Sequence, residues 1–360
     1  MKVSNERDFI GYGSTPPDPR WPNGARLALA IVLNVEEGAE PSIPDGDPAT
    51  ETALTDGVRE EVPAGTRDFV SESLFEYGSR VGFWRIINLM TARNIPLTVN
   101  ACAQALSRNP DAAAAIREFG FDLCCHGDRF IRHFLLSEQD ERDIIARAVA
   151  GFEQAIGRRP LGWQSRYSPS QNTRALLVEH GGFLYDSDSY ADDWPYWVKV
   201  GERPHLVIPH SFTNNDNRLA TAKLGTANDF YDHLSSTLRV LHAEGAHHPR
   251  MMTVSLHSRI SGQPARFVGE VRERSETGHQ PPAGREIRVP YASVHQFCAV
   301  SRPSQRARVP RSSSVIWLKL LGGMAWVRTA CCRMAGAKRA ICSGVSRSTP
   351  FGASPISSIG

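Results

Sequence analysis

An alternation constrains this chain more than any other feature. Up to about Gly262, short apolar runs of strand length take turns with longer segments whose apolar residues recur at helical spacing. The first run, 27–33, is continuously apolar, with Pro22, Asn23 and Gly24 before it and Gly38 after it, and reads as a buried strand. A helix is predicted over 82–93, where Phe83, Ile86, Ile87 and Met90 keep helical spacing. A strand follows at 95–101, then a helix at 110–119 stopped by Gly120. After a strand at 121–125, Ser137 opens a long helix with Asp140 three residues on, a capping-box variant, and Gly157 closes it. Further strands are predicted at 161–163, 183–185, 205–208 and 251–256, and helices at 172–179 and 229–243. Strands separated by helices predict an α/β fold with a parallel sheet, open or closed into a barrel.

What stands after each strand carries the functional signal. Glu36 and Glu37 follow the first, His126 the 121–125 strand, Arg166 and Tyr167 the 161–163 strand, Asp186 and Asp188 the 183–185 strand, and His257 the last. Singly, each has a structural explanation: a Glu-Glu turn in water, or a strand-end histidine with its hydrogen bonds satisfied. Five at the same end of parallel strands would meet at a barrel mouth, where such folds do their chemistry. Carboxylate, imidazole and guanidinium together suit hydrolysis of an amide-like C–N bond: a base for water, an acid for the leaving nitrogen, and a cation to hold the base. Neutral imidazole and carboxylate are also ordinary ligands of a divalent metal such as Zn²⁺. Tyr185, Tyr190, Trp194, Tyr196 and Trp197 cluster around acids. They are either a core or oligomer contact or a substrate-lining lip, with Asp188, Tyr190 and Trp194 as the expected substrate contacts.

Composition divides the chain in two. Residues 1–266 hold 27 Lys/Arg and 34 Asp/Glu; residues 267–360 hold 14 and 4, with no acid after Glu286. The first part is expected to be one catalytic domain, the second a basic, low-order tail. Its arginines are scattered without periodicity, and only 315–327 could form a short apolar helix; a basic tail could bind nucleic acid or an anionic surface, but no nucleic-acid partner is expected. The abrupt change points to out-of-frame sequence beginning near Arg266. Hydrophobic content of 41% and no apolar run of ~20 residues predict a globular chain without a membrane partner. No apolar signal core follows Met1, so a cytoplasmic location is expected. Cys102, Cys124 and Cys125 lack zinc-type spacing, and Cys124 and Cys125, at a strand end, read as small core or near-site residues, not a disulfide framework.

Residues 7–266 resemble the polysaccharide deacetylase (NodB-homology, carbohydrate esterase 4) superfamily, most of all its allantoinase-like branch. The resemblance lies in Arg7-Asp8-Phe9-Ile10-Gly11-Tyr12-Gly13, Asn34-Val35-Glu36-Glu37-Gly38, Tyr77-Gly78-Ser79-Arg80-Val81-Gly82-Phe83-Trp84 and Arg159-Pro160-Leu161-Gly162-Trp163. It continues in Gly181-Gly182-Phe183-Leu184-Tyr185-Asp186-Ser187-Asp188-Ser189-Tyr190 and in Leu256-His257 with Gly262 and Pro264. It implies a distorted (β/α) barrel, incomplete at its C-terminal end if the tail is foreign. It implies Glu36 or Glu37 as base, Arg166 as the arginine that orients it, and His257 as general acid. The family's second motif has two histidines at i and i+4. Here His126 is followed by Phe130, and the next histidine is His133 at i+7. The implied metal set is therefore Glu37, His126 and His133, incomplete by the family pattern, and a reaction without a cofactor is expected. Three readings follow: an allantoinase-like hydrolase opening a small cyclic ureide or amide, a metal-dependent N-deacetylase of polysaccharides or chitooligosaccharides, and an inactive product of a frameshifted gene. The expected partner is a small-molecule substrate, with self-association as a further expectation.

Overall fold

A computed structural model describes residues 7–57 and 62–271, together with the backbone of three later strands. Eight strands form one sheet: β1 (Leu27–Val35), β2 (Thr98–Ala101), β3 (Asp122–Cys125), β4 (Gly162–Trp163), β5 (Tyr185–Asp186), β6 (Tyr196–Val200), β7 (Arg203–Val207) and β8 (Arg250–His257). Their order is β6-β7-β5-β4-β3-β2-β1-β8, and every pair is parallel except β6 with β7. The sheet curls into a distorted, incomplete barrel. The outer edge of β8 is met by connecting chain: Met251 N–H donates to the Asp193 carbonyl, and Ser255 exchanges backbone hydrogen bonds with Asn214 and Asp216, each at 3.0 Å.

The helices cover the outer face. They are α1 (Phe69–Tyr77), α2 (Phe83–Ala92), α3 (Ala103–Arg108), α4 (Pro110–Phe119), α5 (Glu138–Ile156), α6 (Thr173–His180), α7 (Asn217–Ala220), α8 (Ala227–Glu244), α9 (Ser258–Ser261) and α10 (Pro264–Val271). Side chains alternate along the strands. Leu27, Leu29, Leu33 and Val35 of β1 belong to one buried apolar cluster that also holds Phe83, Ile86 and Ile87 of α2 and Ala148 and Phe152 of α5. Burying a side chain of that size contributes about 2 kcal/mol. The intervening positions face the barrel interior.

Local signals explain most boundaries. Ser137 Oγ accepts from Asp140 N–H at the start of α5, and Gly157 ends it in the left-handed region at φ 77°. Asn109 and Pro110 start α4, and Gly120 stops it. The predicted helix at 229–243 begins at Ala227, because Thr226 and Asp229 form a reciprocal capping box. β6 was not foreseen. Its alternating exposure and the Gly201-Glu202 turn make it the outer arm of a hairpin with β7, and Tyr196 and Trp197 are its residues. Between α1 and α2 the chain makes a π-helical turn, Gly78–Gly82. A glycine inside a helix costs about 1 kcal/mol relative to alanine, so two within five residues mark a place where bulk is excluded.

Among the later strands, β9 (Ile287–Tyr291), β10 (Val315–Leu321) and β11 (Met324–Ala330) pair antiparallel in the order β11-β10-β9. The short helix expected over 315–327 does not form there. Val315, Ile316 and Trp317 favour extended backbone, and 315–321 instead pairs antiparallel with 324–330. Helix α10 crosses the expected boundary at 266, with Phe267 packed on the core. The rest of the tail reading lies outside the described residues.

Candidate active site

Three of the five strand ends converge. On β1 the inward positions include Ala28, Val32 and Asn34, and one more step of the alternation turns Glu36 into the barrel. The same parity applies to His126 beyond β3, Gln164 beyond β4 and His257 at the end of β8. A polar floor lies beneath them. Asn34 Nδ2 donates to Ser255 Oγ (2.9 Å) and the Leu256 carbonyl (3.0 Å), and Asn100 Nδ2 donates to Asn34 Oδ1 and Gln164 Oε1 (2.8 Å each).

Glu36, 1% exposed, is the centre of the group. Its Oε1 lies 3.3 Å from His126 Nε2 and 3.4 Å from His257 Nε2. His126 Nδ1 is 2.5 Å from the Gln164 carbonyl, which can only accept, so Nδ1 carries its proton. His257 Nδ1 is 2.6 Å from Asp216 Oδ1. Asp216 is itself fixed by the His257 amide (2.7 Å) and Ser261 Oγ (2.8 Å). On the other side, Arg259 Nη1 lies 2.7 Å from Glu36 Oε2 and 3.3 Å from Glu37 Oε1. Glu37 faces away from the interior: its Oε1 also accepts from the Arg259 amide (3.1 Å), and its Oε2 accepts from the Glu36 amide (3.1 Å).

This arrangement separates the protons. Burial alone would raise the Glu36 carboxyl, but Arg259, His257 and His126 outweigh it and hold Glu36 well below the usual carboxylate range. Glu37 moves the other way, raised by burial and by the Glu36 charge against Arg259. For His257, burial favours the neutral ring, yet Asp216 and Glu36 override it and push the imidazole up to about 9. At neutral pH the pair is thus Glu36 carboxylate facing His257 imidazolium. His210, buried just after β7, is pushed down to about 3 by burial and by the nearby His257 and His126 rings, and stays neutral.

The other expected residues lie elsewhere. Arg166, expected to orient the glutamates, instead donates to the Phe130 carbonyl (2.7 Å), pairs with Glu51, and lies over the Phe130 ring. The arginine on the glutamate pair is Arg259. His133 is fully buried with Nδ1 3.2 Å from Glu141 Oε1 and its ring edge on Trp163. Its expected place beside His126 assumed a helical face, but 126–132 is irregular chain. The implied metal set Glu37, His126 and His133 is therefore not assembled, since Glu37 is engaged by Arg259 and His133 by Glu141. Among the described residues no three His, Cys, Asp or Glu side chains form a group that could hold a metal ion. Trp194, expected to touch substrate, is a packing residue: its indole N–H donates to the Pro249 carbonyl, and Arg250 stacks on its ring at 4.0 Å. Asp188 accepts from Ser165 N–H (2.7 Å) and Oγ (2.9 Å), and burial beside Asp186 raises it to about 7. Tyr190 is 40% exposed, stacked on Phe212 at 4.0 Å and edge-on to His210.

Asp216, Arg259, Gln164 and His210 escaped the sequence reading. Asp216 sits in the run Asn214-Asn215-Asp216-Asn217, outside any predicted element, and Arg259 follows His257 by two residues. Only the closure of the barrel edge by 214–216 brings Asp216 to His257.

Residues 65–183 match the family model described as polysaccharide deacetylase. A Schizosaccharomyces pombe protein named as a polysaccharide deacetylase is 35% identical over 283 residues, 73% of this chain and 88% of that one. Two crystal structures superpose well. One, named as a polysaccharide deacetylase from Pseudomonas aeruginosa PAO1, is 42% identical with a TM-score of 0.70, over 73% of this chain and 89% of that chain. The other, Puue allantoinase, is 43% identical with a TM-score of 0.71, over 74% of this chain and 89% of that chain. Among the described residues no helix is long and apolar enough to cross a membrane.

Proposed function

The chain belongs to the polysaccharide deacetylase (NodB-homology) family of amide-bond hydrolases, and from that premise we propose that it opens the ring of a small cyclic ureide or amide, with Glu36 as base and His257 as acid. One observation carries the reading: an ionised Glu36 and a protonated His257, backed by Asp216, face each other 3.4 Å apart in a buried site. Two groups with shifts in opposite directions are the pattern of an acid–base pair.

The steps follow from that pair. Water beside Glu36 Oε1 gives a proton to the carboxylate as its oxygen bonds to the ring carbonyl carbon. The C–N bond of the tetrahedral intermediate then breaks, and its electron pair takes the proton of His257 Nε2. The opened product carries a carboxyl group at one end and an N–H at the other. Glu36 now holds a proton and His257 has lost one. Transfer across the gap restores both, so the net change is addition of one water. Asp216 keeps the His257 Nδ1 proton in place, and Gln164 does the same for His126. The likeness to Puue allantoinase favours a cyclic ureide.

The names of the yeast and Pseudomonas relatives support a second reading, removal of an acetyl group from an N-acetyl sugar. The same acid–base pair could serve it, but the metal ligands expected for that reaction are not gathered. Turnover of allantoin and of N-acetylchitooligosaccharides by the full chain and by Glu36→Gln separates the two. Allantoin hydrolysis that is lost in Glu36→Gln is expected. Turnover of the acetylated sugar alone, or an unaffected Glu36→Gln, overturns the ureide reading.

We further propose that residues 267–360 were not selected with the barrel, on the strength of their charge and composition. Translating the nucleotide sequence around the Arg266 codon in all three frames tests this. A family-like continuation in another frame is expected, and its absence refutes the proposal.

A further inference from the structure

We propose that Arg259 is the positioning residue of the glutamate pair, and that the π-helical turn Gly78–Gly82 is the seat that lets it reach them. The proposal rests on Glu36 being the base. Arg259 is 2% exposed and held at several points. Its Nη1 lies 2.7 Å from Glu36 Oε2, its Nε donates to the Leu54 carbonyl at 3.0 Å, and its guanidinium lies 4.7 Å over the Phe75 ring of α1. Its own amide holds Glu37 at 3.1 Å. A cation fixed this way sets where the Glu36 carboxylate points and keeps it ionised.

The backbone around Arg259 can come this close only because the facing chain lacks side chains. A Cβ on Gly78 would lie 2.7 Å from Glu37 Oε1 and 2.9 Å from both the amide nitrogen and the Cβ of Arg259. A Cβ on Gly82 would collide with the Ser258 carbonyl, and one on Gly262 with that carbonyl and with Gly82 itself. The two strips of chain are in backbone contact, and Tyr77 and Arg85 bind the Gly262 carbonyl from the same side. The π turn, whose closing bond runs from Phe83 N–H to the Gly78 carbonyl, places both glycines on that contact. Such turns recur at functional sites. None of these residues is predicted to touch substrate; they act through Glu36.

Kinetics on the full chain with allantoin test this. Arg259→Ala is expected to lower kcat about 100-fold with KM little changed, because misplacing a reacting group by an ångström costs that much. Added guanidinium ion should restore part of the loss. Gly82→Ala should lower kcat in the same way, keep the far-ultraviolet dichroism of the parent, and gain nothing from guanidinium. Arg166→Ala should lower the melting temperature, and guanidinium should not restore its kcat. Unchanged kcat in Arg259→Ala, or guanidinium rescue of Arg166→Ala in its place, overturns the proposal. One readout needs no substrate: solvent exchange of the Arg259 guanidinium protons, followed by NMR in the parent and in Glu36→Gln. Faster exchange in Glu36→Gln upholds the pairing even if no ureide is turned over, and equal exchange overturns it.

Discussion

Two groups of buried carboxylates and imidazoles stand in this barrel, and they are bonded differently. On the β4–β7 side, Asp186 takes Arg174 Nε (2.6 Å) and His205 Nε2 (3.0 Å) on one oxygen, and Arg174 Nη2 (3.1 Å) and the Asp188 amide (3.0 Å) on the other. Nearby Glu141 is similarly engaged by His133, Ser170 and Thr173. On the β1–β8 side, Glu36 Oε1 faces two imidazole nitrogens at 3.3 and 3.4 Å, longer than a good N–H···O bond. Asp186 is saturated and holds segments together. Glu36 is charged, buried and loosely held on one oxygen, so a water or substrate can replace its neighbours at small cost. Both groups contain the same residue types at strand ends. What separates a structural cluster from a reactive one is the number and quality of bonds on the carboxylate.

The sharpest way to break this contrast is Glu36→Gln. Its turnover should fall about 10³-fold, the weight of a general base, with the fold retained as judged by circular dichroism. Asp216→Asn comes next, with kcat down about 100-fold. It should also move the pH profile. His257 has a raised folded-state value and acts protonated, so activity is present below about 9 and lost above it. Without the Asp216 charge the alkaline limb should shift down by about one pH unit or more. On the saturated side, Asp186→Asn should lower stability by about 2 kcal/mol in denaturant titration, by leaving Arg174 and His205 poorly paired. Its pH limbs should stay where they are. Trp194→Phe is the mildest: a loss of about 1 kcal/mol from the removed Pro249 hydrogen bond, with KM unchanged. If Asp186→Asn moved a pH limb or Glu36→Gln only lowered the melting temperature, the two sides would have been assigned the wrong way round.

Much of this was legible from residues in order. The strand at 27–33 and the positions just past it placed Glu36, His126 and His257 correctly at one end, because parallel strands share a direction and side chains alternate. Partners supplied by distant chain were not legible. Asp216 reaches His257 only through the closure of the β8 edge, and Arg259 reaches Glu36 only because Gly78 and Gly82 admit its backbone. Helical spacing misled at His133, since the chain from 126 to 132 does not form a helix. Arg166 and Trp194 carry the right chemistry for a site, yet Glu51 and Arg250 were free to claim them. Periodicity describes one segment at a time; the choice among several available partners belongs to the tertiary fold.

The proposed acid–base pair depends most directly on the protonation of His257. Its imidazole can be followed by ¹⁵N NMR titration of the full chain, without any substrate. A ring that stays doubly protonated through neutral pH and titrates near 9, and nearer the ordinary histidine value in Asp216→Asn, is what the geometry predicts. A ring that is already neutral at pH 7 would contradict the assignment of His257 as the acid facing Glu36.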